Sequence, residues 1–365
     1  MKTTYSFSRP DGLQHMTIRI NRTPIGTGHP AYLVAELSGN HNRDLGRAVE
    51  LIHAAAEAGA NAVKLQTYTA DTITIDSHRP EFTITAEGPW RGRTLHDLYD
   101  EAHTPWSWHP RLFEEAGTRG LDIFSSPFDS TAVDLLESLD APAYKVASFE
   151  LVDDPLLRRV GATGKPVILS TGMANLEEIV HAVGVLRSAG AAGIIVLKCT
   201  SSYPAPDETM HLASIPRLAE VTGCPAGLSD HSMGTVAAVV AVTLGACLVE
   251  KHLTLRRADG GVDSSFSLEP DEFRALVNGV RQAEAMMGEA RFGPGLAEEG
   301  SIAFRRSLYV VEDVPQGGVF TEANVRSIRP GFGLAPKYLE LVLGRRALRP
   351  IARGTPMSWD LLLPS

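Results

Sequence analysis

Residues 31–37 read AYLVAEL, and this short apolar run is the first of eight that recur along the chain. The others are AVKLQTY from residue 62, LDIFSSP from 121, AYKVAS from 143, PVILST from 166, IIVLKCTS from 194, AGLSDH from 226 and CLVEKHLT from 247. Segments with helical spacing lie between them, and this alternation is typical of a parallel sheet. Eight such units within about 250 residues favour an α/β fold of the closed (β/α)8 TIM-barrel type over an open doubly wound sheet. No GxGxxG turn supports the open sheet.

Two of the intervening segments carry clear helix-boundary signals. The segment from Asp44 to Gly59 places its apolar residues on one stripe and ends at a glycine, as helices often do. The segment that starts at Asp129 offers this aspartate as an N-cap. We therefore expect helices after the first and the third strand.

The sequence also predicts how the chain is divided. Residues 1–290 would form the barrel, with a hairpin in MTIRINRTPIG (16–26) over its amino-terminal mouth. Residues 291–302 would be a linker, and 303–365 a small β-rich domain, because short pieces rich in glycine and proline replace the earlier pattern. The connection over about 69–109 contains three tryptophans and is long enough to be a lid over the catalytic mouth.

Composition narrows the possible partners and compartment. A formal net charge of -9 over 365 residues argues against nucleic acid or an anionic membrane as a partner. The three cysteines form no CxxC pair and are too few for a disulfide framework, which favours a reducing compartment. The sequence has no signal-peptide pattern and no run of about 18 uncharged apolar residues. We therefore expect a soluble, cytoplasmic protein.

Polar residues are concentrated at the carboxyl ends of the eight runs, where the catalytic side chains of such barrels lie. They are Glu36, Lys64, Gln66, Ser125, Ser126, Lys145, Ser148, Glu150, Ser170, Thr171, Thr200, Ser201, Tyr203, Ser229, Asp230, His231, Glu250 and His252. A buried lysine needs an ionic partner or a ligand, so Lys64 and Lys145 either form structural ion pairs or hold an anion. Serine hydroxyls beside two ammonium groups suit phosphate and carboxylate, and we expect an anion-binding mouth.

Two histidines end adjacent predicted strands. His231 and His252 could meet over the mouth and hold a divalent metal, with coordination positions left open. The alternative is that they donate hydrogen bonds or act as acid or base. His41, in SGNHN, belongs either to the site or to a loop that shapes its entrance.

Eight motifs, in order along nearly the whole chain, resemble the sialic acid synthase family, whose members join an amino-terminal barrel to a carboxy-terminal SAF (antifreeze-like) domain. They are AELSGNHN from residue 35, AVKLQTY, AYKVASFE, ILSTGM from 168, KCTSSYPAP from 198, GLSDHSMG from 227, EKHLT from 250 and RSIRPGFGL from 326. The stretches at 65–76, 93–109 and 125–139 are most similar to the pseudaminic acid synthase subgroup. Ser201 and Asp129 depart from the sialic-acid branch, which indicates a different acceptor.

The resemblance implies roles for individual residues. The residues implied to cradle phosphoenolpyruvate are Lys64, Ser126, Lys145, Ser148, Ser170 and Ser229, and those implied to bind Mn²⁺, Mg²⁺ or Co²⁺ are His231 and His252. The residues implied to face the sugar or the reacting centre are Glu36, Gln66, Glu150, Tyr203 and Asp263. Of all these, Glu36, Lys64, Lys145 and Glu150 are the candidate catalytic residues. Arg329 resembles a family arginine that reaches the acceptor sugar of a neighbouring barrel, which implies a domain-swapped homodimer.

The implied reaction condenses phosphoenolpyruvate, water and 2,4-diacetamido-2,4,6-trideoxy-β-L-altropyranose to pseudaminic acid and phosphate, with metal assistance and C–O cleavage. Synthesis of N-acetylneuraminic or legionaminic acid is the first alternative. A Schiff-base aldolase that uses Lys64 or Lys145 is a more distant alternative, which the barrel alone would permit. A non-catalytic carbohydrate-binding protein is a third, although a binder does not need polar residues at every strand end.

Overall fold

The computed structural model of the protein describes residues 17–364, and the first of these form a hairpin. Strands β1 (Thr17–Ile20) and β2 (Thr23–Gly26) pair antiparallel. Their side chains Ile18, Ile20 and Ile25 are buried and pack against residues of the barrel interior, among them Tyr32 and Phe124. The hairpin is therefore part of the barrel's own core. Residue 16, where the predicted hairpin begins, lies outside the described residues.

Eight parallel strands follow and close into a barrel in sequence order, with the last strand paired to the first. They are β3 (Tyr32–Glu36), β4 (Ala62–Thr67), β5 (Asp122–Pro127), β6 (Tyr144–Val146), β7 (Pro166–Ser170), β8 (Gly193–Cys199), β9 (Ala226–Asp230) and β10 (Leu248–His252). Seven of the strands lie within the apolar runs of the sequence, and β8 begins one residue before its run, at Gly193. The prediction of a (β/α)8 barrel is therefore confirmed.

Helices lie between and after the strands of the barrel. They are α1 (Leu45–Ala58), α2 (Ala70–Ile73), α3 (Leu95–Ala102), α4 (His109–Thr118), α5 (Ser130–Ser138), α6 (Asp154–Gly161), α7 (Leu176–Ala189), α8 (Ser214–Thr222), α9 (Val236–Thr243) and α10 (Pro270–Met287). The carboxylate of Asp44 accepts a hydrogen bond from the first turn of α1, and Gly59 ends that helix in the left-handed conformation. Asp129 caps α5 in the same way as Asp44 caps α1. Both predicted helix boundaries are thus confirmed.

Alternation along the strands separates an apolar end of the barrel interior from a polar one. Because every second residue of a strand points to the same side, Leu248, Glu250 and His252 of β10 share one face. Leu248 joins the apolar cluster inside the barrel. The charged residues follow it toward the carboxyl end of the strand. The amino-terminal end is thus filled with apolar side chains, and the polar side chains are held at the opposite mouth.

The long connection after β4 contains structure of its own. It includes α2, α3 and 3-10 turns at Pro80–Phe82 and Trp106–Trp108. At its far end the ring of His109 is fully buried, with Nε2 2.8 Å from the Thr67 hydroxyl, which lies 2.6 Å from the Ser125 hydroxyl. This chain of hydrogen bonds fastens the end of the connection to β4 and β5.

Residues 290–364 form a second compact unit. It contains a 3-10 segment (Leu296–Phe304), strands β11 (Ser307–Val310) and β12 (Val325–Ile328), and a short helix α11 (Leu339–Val342). Its core includes Leu308, Phe320, Val342, Ile351 and Met357. The finer boundaries predicted from the sequence, with a linker over 291–302, remain a prediction.

None of the helices within residues 17–364 is both long and apolar enough to cross a bilayer.

Gly227 tests how tightly the barrel interior is packed. A Cβ added there would lie 2.7 Å from Leu197 Cδ2 and would also collide with the main-chain carbonyl oxygen of Leu248. We expect Gly227→Ala to destabilise the barrel by at least about 2 kcal/mol, because backbone cannot move aside as a flexible side chain can. Urea unfolding followed by circular dichroism would measure the change.

The matched control is Gly184→Ala on α7, where an added Cβ meets no atom within 4 Å. We expect it to be neutral or to stabilise by up to about 1 kcal/mol, because alanine favours a helix. Equal effects of the two substitutions would contradict the packing argument.

Candidate functional site

A buried cluster of opposite charges lies at the polar mouth of the barrel. The Lys64 ammonium group is 2.6 Å from Glu36 Oε2 and 3.0 Å from Glu250 Oε1, and Lys145 Nζ is 3.6 Å from the same Glu250 oxygen. Burial lowers the pKa of Lys64 to about 8. For Glu250, burial opposes ionisation, but the charges of Lys145 and Lys64 outweigh it and hold the pKa of this carboxyl below its usual range. Lys64 and Lys145, both predicted as site residues, therefore form ion pairs with the same oxygen of Glu250.

The ion pairs do not satisfy every polar group around them. Within the described part of the chain, the hydroxyls of Ser126 and Ser170 are buried without a hydrogen-bond partner, as are Oε2 of Glu150 and Oε2 of Glu250. Buried polar atoms in proteins are nearly always bonded, so a concentration of unpartnered ones at one mouth indicates a ligand-binding site. Structural ion pairing, the alternative considered for the two lysines, therefore accounts for only part of this cluster.

The other two predicted serines already have partners. The Ser229 hydroxyl donates to Glu250 Oε1 at 3.3 Å, and the Ser148 oxygen accepts a hydrogen bond from the Gly172 amide at 3.0 Å. Ser148 lies just beyond the end of β6, and Ser229 lies in β9. Both hydroxyls are thus held in fixed positions at the same mouth.

A second network links the first strand to the segment after the last one. Ser38 donates its main-chain amide to Glu36 Oε1 at 2.9 Å and its hydroxyl to the carboxylate of Asp263. The Gln66 amide lies 3.2 Å from the Ser38 hydroxyl and 3.4 Å from Glu36 Oε1. Burial raises the pKa of Asp263, although the bond from Ser38 opposes this. Glu36, Gln66 and Asp263, predicted separately from the sequence, therefore form one connected group.

Ser38 was not singled out from the sequence, although it lies in the AELSGNHN motif. Its φ of 45° is in the left-handed region, where a serine is uncommon, and such conformations concentrate at functional sites. The sequence signal for Ser38 was its position as a hydroxyl residue directly after a predicted strand. Glu250 was noted as a strand-end residue without a role, yet it contacts both buried lysines.

The imidazoles of His231 and His252 face each other, with ring centroids 5.3 Å apart. Nδ1 of His231 lies 3.0 Å from the Thr200 carbonyl oxygen, so this nitrogen carries the proton and leaves the Nε2 lone pair free. Burial holds the pKa of His252 well below its usual value, and within residues 17–364 its Nδ1 has no hydrogen-bond partner. Two imidazoles with free lone pairs are chemically suited to a divalent metal.

The protein ligands available to such a metal are limited to this pair. Among the residues that the structure describes, no cluster of three or more His, Cys, Asp or Glu side chains has the geometry of a metal site. Cys199 Sγ lies 3.9 Å from His231 Nδ1, on the side of the ring away from the free Nε2, a contact the sequence did not indicate. The pair therefore fits a metal with open coordination positions, as catalytic sites require.

A buried ion pair lies directly behind the two histidines. Lys251 Nζ is 2.8 Å from Asp230 Oδ2, and both side chains are almost fully buried. Asp230 Oδ1 also accepts hydrogen bonds from the amide and hydroxyl of Ser232, at 2.8 and 2.7 Å. Because Asp230 and Lys251 each precede one histidine in sequence, this network holds the backbone of both strand ends.

His41, which the sequence left open, lies beside the long connection. His41 packs against Trp108 of the long connection, with ring centroids 5.4 Å apart, and its Nε2 lies 3.3 Å from the Thr104 hydroxyl. It belongs to the entrance, not to the imidazole pair. Arg329 belongs to the second compact unit, follows β12 and is exposed.

Comparison with known proteins adds independent information. Residues 51–292 match the model of the NeuB family, and residues 305–363 match that of the SAF domain. A pseudaminic acid synthase of Helicobacter pylori is 42% identical over 334 residues, which cover 91% of this chain and 97% of the relative. A pseudaminic acid synthase of Campylobacter jejuni is 42% identical over 90% of this chain and 95% of its own length.

A solved structure is also similar. The N-acetylneuraminic acid synthetase of Leptospira borgpetersenii superposes with a TM-score of 0.70 and 30% identity, over 79% of this chain and 95% of that one.

Glu150 generates a prediction about pH. It lies in a 3-10 turn after β6 (Ser148–Val152), and burial raises its pKa to about 7, against opposing charges of Lys145 and Lys64. A carboxyl whose pKa is higher in the folded than in the unfolded state stabilises the fold at low pH. This contribution is lost as the pH rises from about 4.5 to about 7.

We expect Glu150→Gln, which cannot ionise, to gain stability relative to the wild type across this pH range and to keep the gain above it. Each pKa unit corresponds to about 1.4 kcal/mol, so the gain is at most about 3 kcal/mol. Unfolding midpoints of the ligand-free proteins between pH 4 and 8 would measure it. Glu57→Gln, at an exposed position of α1, controls for the loss of one negative charge. A stability difference that does not change with pH would contradict the assignment.

Proposed function

This chain belongs to the NeuB family and carries a SAF domain, and from this premise we propose that it is a pseudaminic acid synthase. It forms a carbon–carbon bond between phosphoenolpyruvate and 2,4-diacetamido-2,4,6-trideoxy-β-L-altropyranose and, with water, yields pseudaminic acid and phosphate. The observation that carries the proposal is the cluster of two buried lysines and unpartnered serine hydroxyls beside a pair of imidazoles. The 42% identity to pseudaminic acid synthases over nine-tenths of the chain supports this choice of acceptor.

The charged end of the site suits phosphoenolpyruvate. Lys64 and Lys145 supply two ammonium groups where Glu250 balances them in the ligand-free protein. The free hydroxyls of Ser126 and Ser170 can donate to phosphate or carboxylate oxygens without competing acceptors. Ser148 and Ser229 lie at the same mouth and complete the proposed cradle.

His231 and His252 would hold the divalent metal, which we propose to be Mn²⁺, Mg²⁺ or Co²⁺. When bound, such an ion supplies Lewis-acid polarisation of a carbonyl oxygen. The task of the protein is to keep both imidazoles neutral and oriented. The Thr200 carbonyl orients the ring of His231 through Nδ1, and burial lowers the pKa of His252 and so favours its neutral form.

Glu150 is the proposed acid–base group. Its pKa of about 7 lets it accept or return a proton near neutrality, as general acid–base catalysis requires. We assign it the proton of the water that adds to C2 of the former enol before phosphate leaves by C–O cleavage. Glu36 lies 2.6 Å from Lys64 and is proposed to stabilise cationic character at the reacting centre.

The sugar is proposed to bind beside the metal pair. Gln66 and Asp263 belong to the hydrogen-bonded group around Ser38, and their amide and carboxylate can receive sugar hydroxyl and acetamido groups. The Tyr203 ring lies 4.4 Å from that of His231 and would pack against the acceptor.

A Schiff-base aldolase is favoured by one observation, the lowered pKa of Lys64. Against it, Lys64 contacts two carboxylates, which favour the charged and non-nucleophilic ammonium form. Borohydride trapping of a sugar or pyruvate on Lys64 or Lys145 would support the aldolase. Loss of turnover on chelation would support the metal-assisted synthase.

We also propose that the protein acts as a homodimer in which Arg329 of one subunit reaches the barrel of the other. Helix α9 supports a barrel–barrel contact, because its buried side carries Ala237, Ala238 and Ala241. Its exposed side carries the larger Val236 and Val240, which is the reverse of a solvent-facing helix and typical of an interface.

The three free, buried cysteines accord with the reducing cytoplasm that we propose as the location of the protein.

The acceptor assay tests the central proposal. Purified protein with Mn²⁺ and phosphoenolpyruvate is given, in parallel, the altrose derivative, N-acetylmannosamine and the corresponding precursor of legionaminic acid. We expect phosphate release to be fastest with the altrose derivative and to stop when His252 is replaced by alanine. Phosphate release with none of the three sugars would contradict the synthase, and a clear preference for another sugar would replace the proposed acceptor.

Mixed dimers test the role of Arg329. We expect Arg329→Ala and Lys64→Ala to be inactive as separate homodimers, because each lacks one essential component of both sites. Co-expressed, they should recover about a quarter of the wild-type activity, since half of randomly paired dimers carry one complete site. The matched control, Lys64→Ala with Lys145→Ala, should recover none. No recovery with the Arg329 variant would indicate that Arg329 acts within its own subunit, and an active Arg329→Ala homodimer would place Arg329 outside the site.

A further inference from the structure

Trp90 connects the long segment between β4 and α4 to the mouth of the barrel. It lies between the 3-10 turn at Pro80–Phe82 and α3, and its indole is half-buried. The indole N–H donates a 2.8 Å hydrogen bond to the carbonyl oxygen of Val262. Val262 immediately precedes Asp263, whose carboxylate accepts the Ser38 hydroxyl in the site. Trp90 is thereby held beside the group proposed to bind the sugar.

The indole also completes a continuous row of aromatic rings around the imidazole pair. The ring centroid of Trp90 lies 5.2 Å from that of Tyr203 and 6.2 Å from that of Phe266. Tyr203 is 4.4 Å from His231, and Phe266 is 5.1 Å from His252. The three rings form what we call the aromatic wall, which is defined by Trp90, Tyr203 and Phe266.

The aromatic wall differs in chemistry from the lysine cluster. Lys64 and Lys145 lie within barrel strands, whereas all three wall residues lie in segments beyond the strand ends. The wall carries no charged side chain, so it does not compete for the phosphate and carboxylate that the lysines attract. Flat apolar surfaces of this kind favour ligand groups such as methyl groups.

The possible acceptor sugars differ in the number of methyl groups that they carry. The 2,4-diacetamido-2,4,6-trideoxy sugar has two acetyl methyl groups and a methyl group at C6, whereas N-acetylmannosamine has one acetyl methyl group and a hydroxymethyl group at C6. One methyl-sized group in an apolar pocket changes relative binding by about tenfold or more. A wall that receives such groups therefore discriminates between these sugars.

We propose that Trp90 is an acceptor-specificity residue, whose indole packs against the methyl-bearing side of the sugar and selects the more apolar acceptor. This inference rests on the proposed synthase function. It assigns to the connecting segment a direct contact with the substrate, in addition to covering the mouth. Tyr203 supplies the rest of the accessible surface, the buried ring of Phe266 packs behind it, and Trp90 reaches the wall from the connection.

Two substitutions at Trp90 distinguish the contribution of the aromatic ring from that of its hydrogen bond to Val262. Trp90→Ala removes the apolar surface, and we expect it to lower the preference for the trideoxy sugar over N-acetylmannosamine by about tenfold. The KM for phosphoenolpyruvate should stay within about twofold of the wild type. Trp90→Phe loses the bond to Val262 and part of the indole surface but keeps an aromatic ring, so it should retain most of the preference.

Trp106→Ala is the matched control. Trp106 lies in the same connection, and its indole N–H likewise donates to a backbone carbonyl, that of Tyr68, at 3.2 Å. Among the described aromatic contacts it has none with the wall or the imidazoles. We expect this variant to leave the acceptor preference unchanged. A loss of preference equal to that of Trp90→Ala would show that any lid tryptophan matters and would overturn the proposal.

Calorimetric binding of each sugar in Mn²⁺, without phosphoenolpyruvate, separates discrimination from turnover. A tenfold fall in the ratio of affinities for Trp90→Ala, with an unchanged unfolding midpoint, would support the assignment. An unchanged ratio would overturn it. The synthase proposal fails on a different result, namely the absence of phosphate release by the wild-type enzyme with every acceptor.

Discussion

The site depends on the cost of holding charged side chains inside a barrel. Lys64 and Lys145 are almost fully removed from solvent, and isolated ammonium groups in such surroundings would be strongly unfavourable. Glu250 lies between them and Glu36 lies against Lys64, so the four charges compensate one another. This arrangement requires strands β3, β4, β6 and β10 to be brought together, which only closure of the barrel achieves. Closure of the sheet and assembly of the anion site are therefore one event.

The rest of the barrel preserves that compensation. Apolar residues, including the side chains of the hairpin, fill the amino-terminal end of the barrel. They exclude water from that side of the charged cluster. On the outer side of the strands, the Asp230–Lys251 pair holds the backbone next to both histidines. At the entrance, His109 fastens one end of the long connection and Trp90 fastens its middle. Each of these contacts is local, but each restrains a different edge of the same mouth.

The mouth thereby has two chemically distinct parts. Its charged centre offers ammonium groups and hydroxyls suited to an anion, and its rim presents uncharged aromatic rings beside two imidazoles. A condensation between a small, highly charged substrate and a larger, partly apolar one needs such a division, because each substrate is then held by interactions that the other cannot use. In the proposed dimer, Arg329 would add a positive charge to the sugar side.

The sequence by itself determined the fold class and predicted most residues of the candidate site, because strand alternation and polar strand ends are local patterns. A lysine or glutamate in an apolar run, such as Lys64 or Glu250, is conspicuous without any structure. The partners of these residues were not readable, since Lys64 and Glu250 are 186 residues apart in the chain. Phe266 and the bond from Trp90 to Val262 likewise have no local signature, because their positions follow from loop paths and from closure of the sheet. Tertiary structure alone decided those contacts, since only packing brings together side chains that the chain keeps far apart.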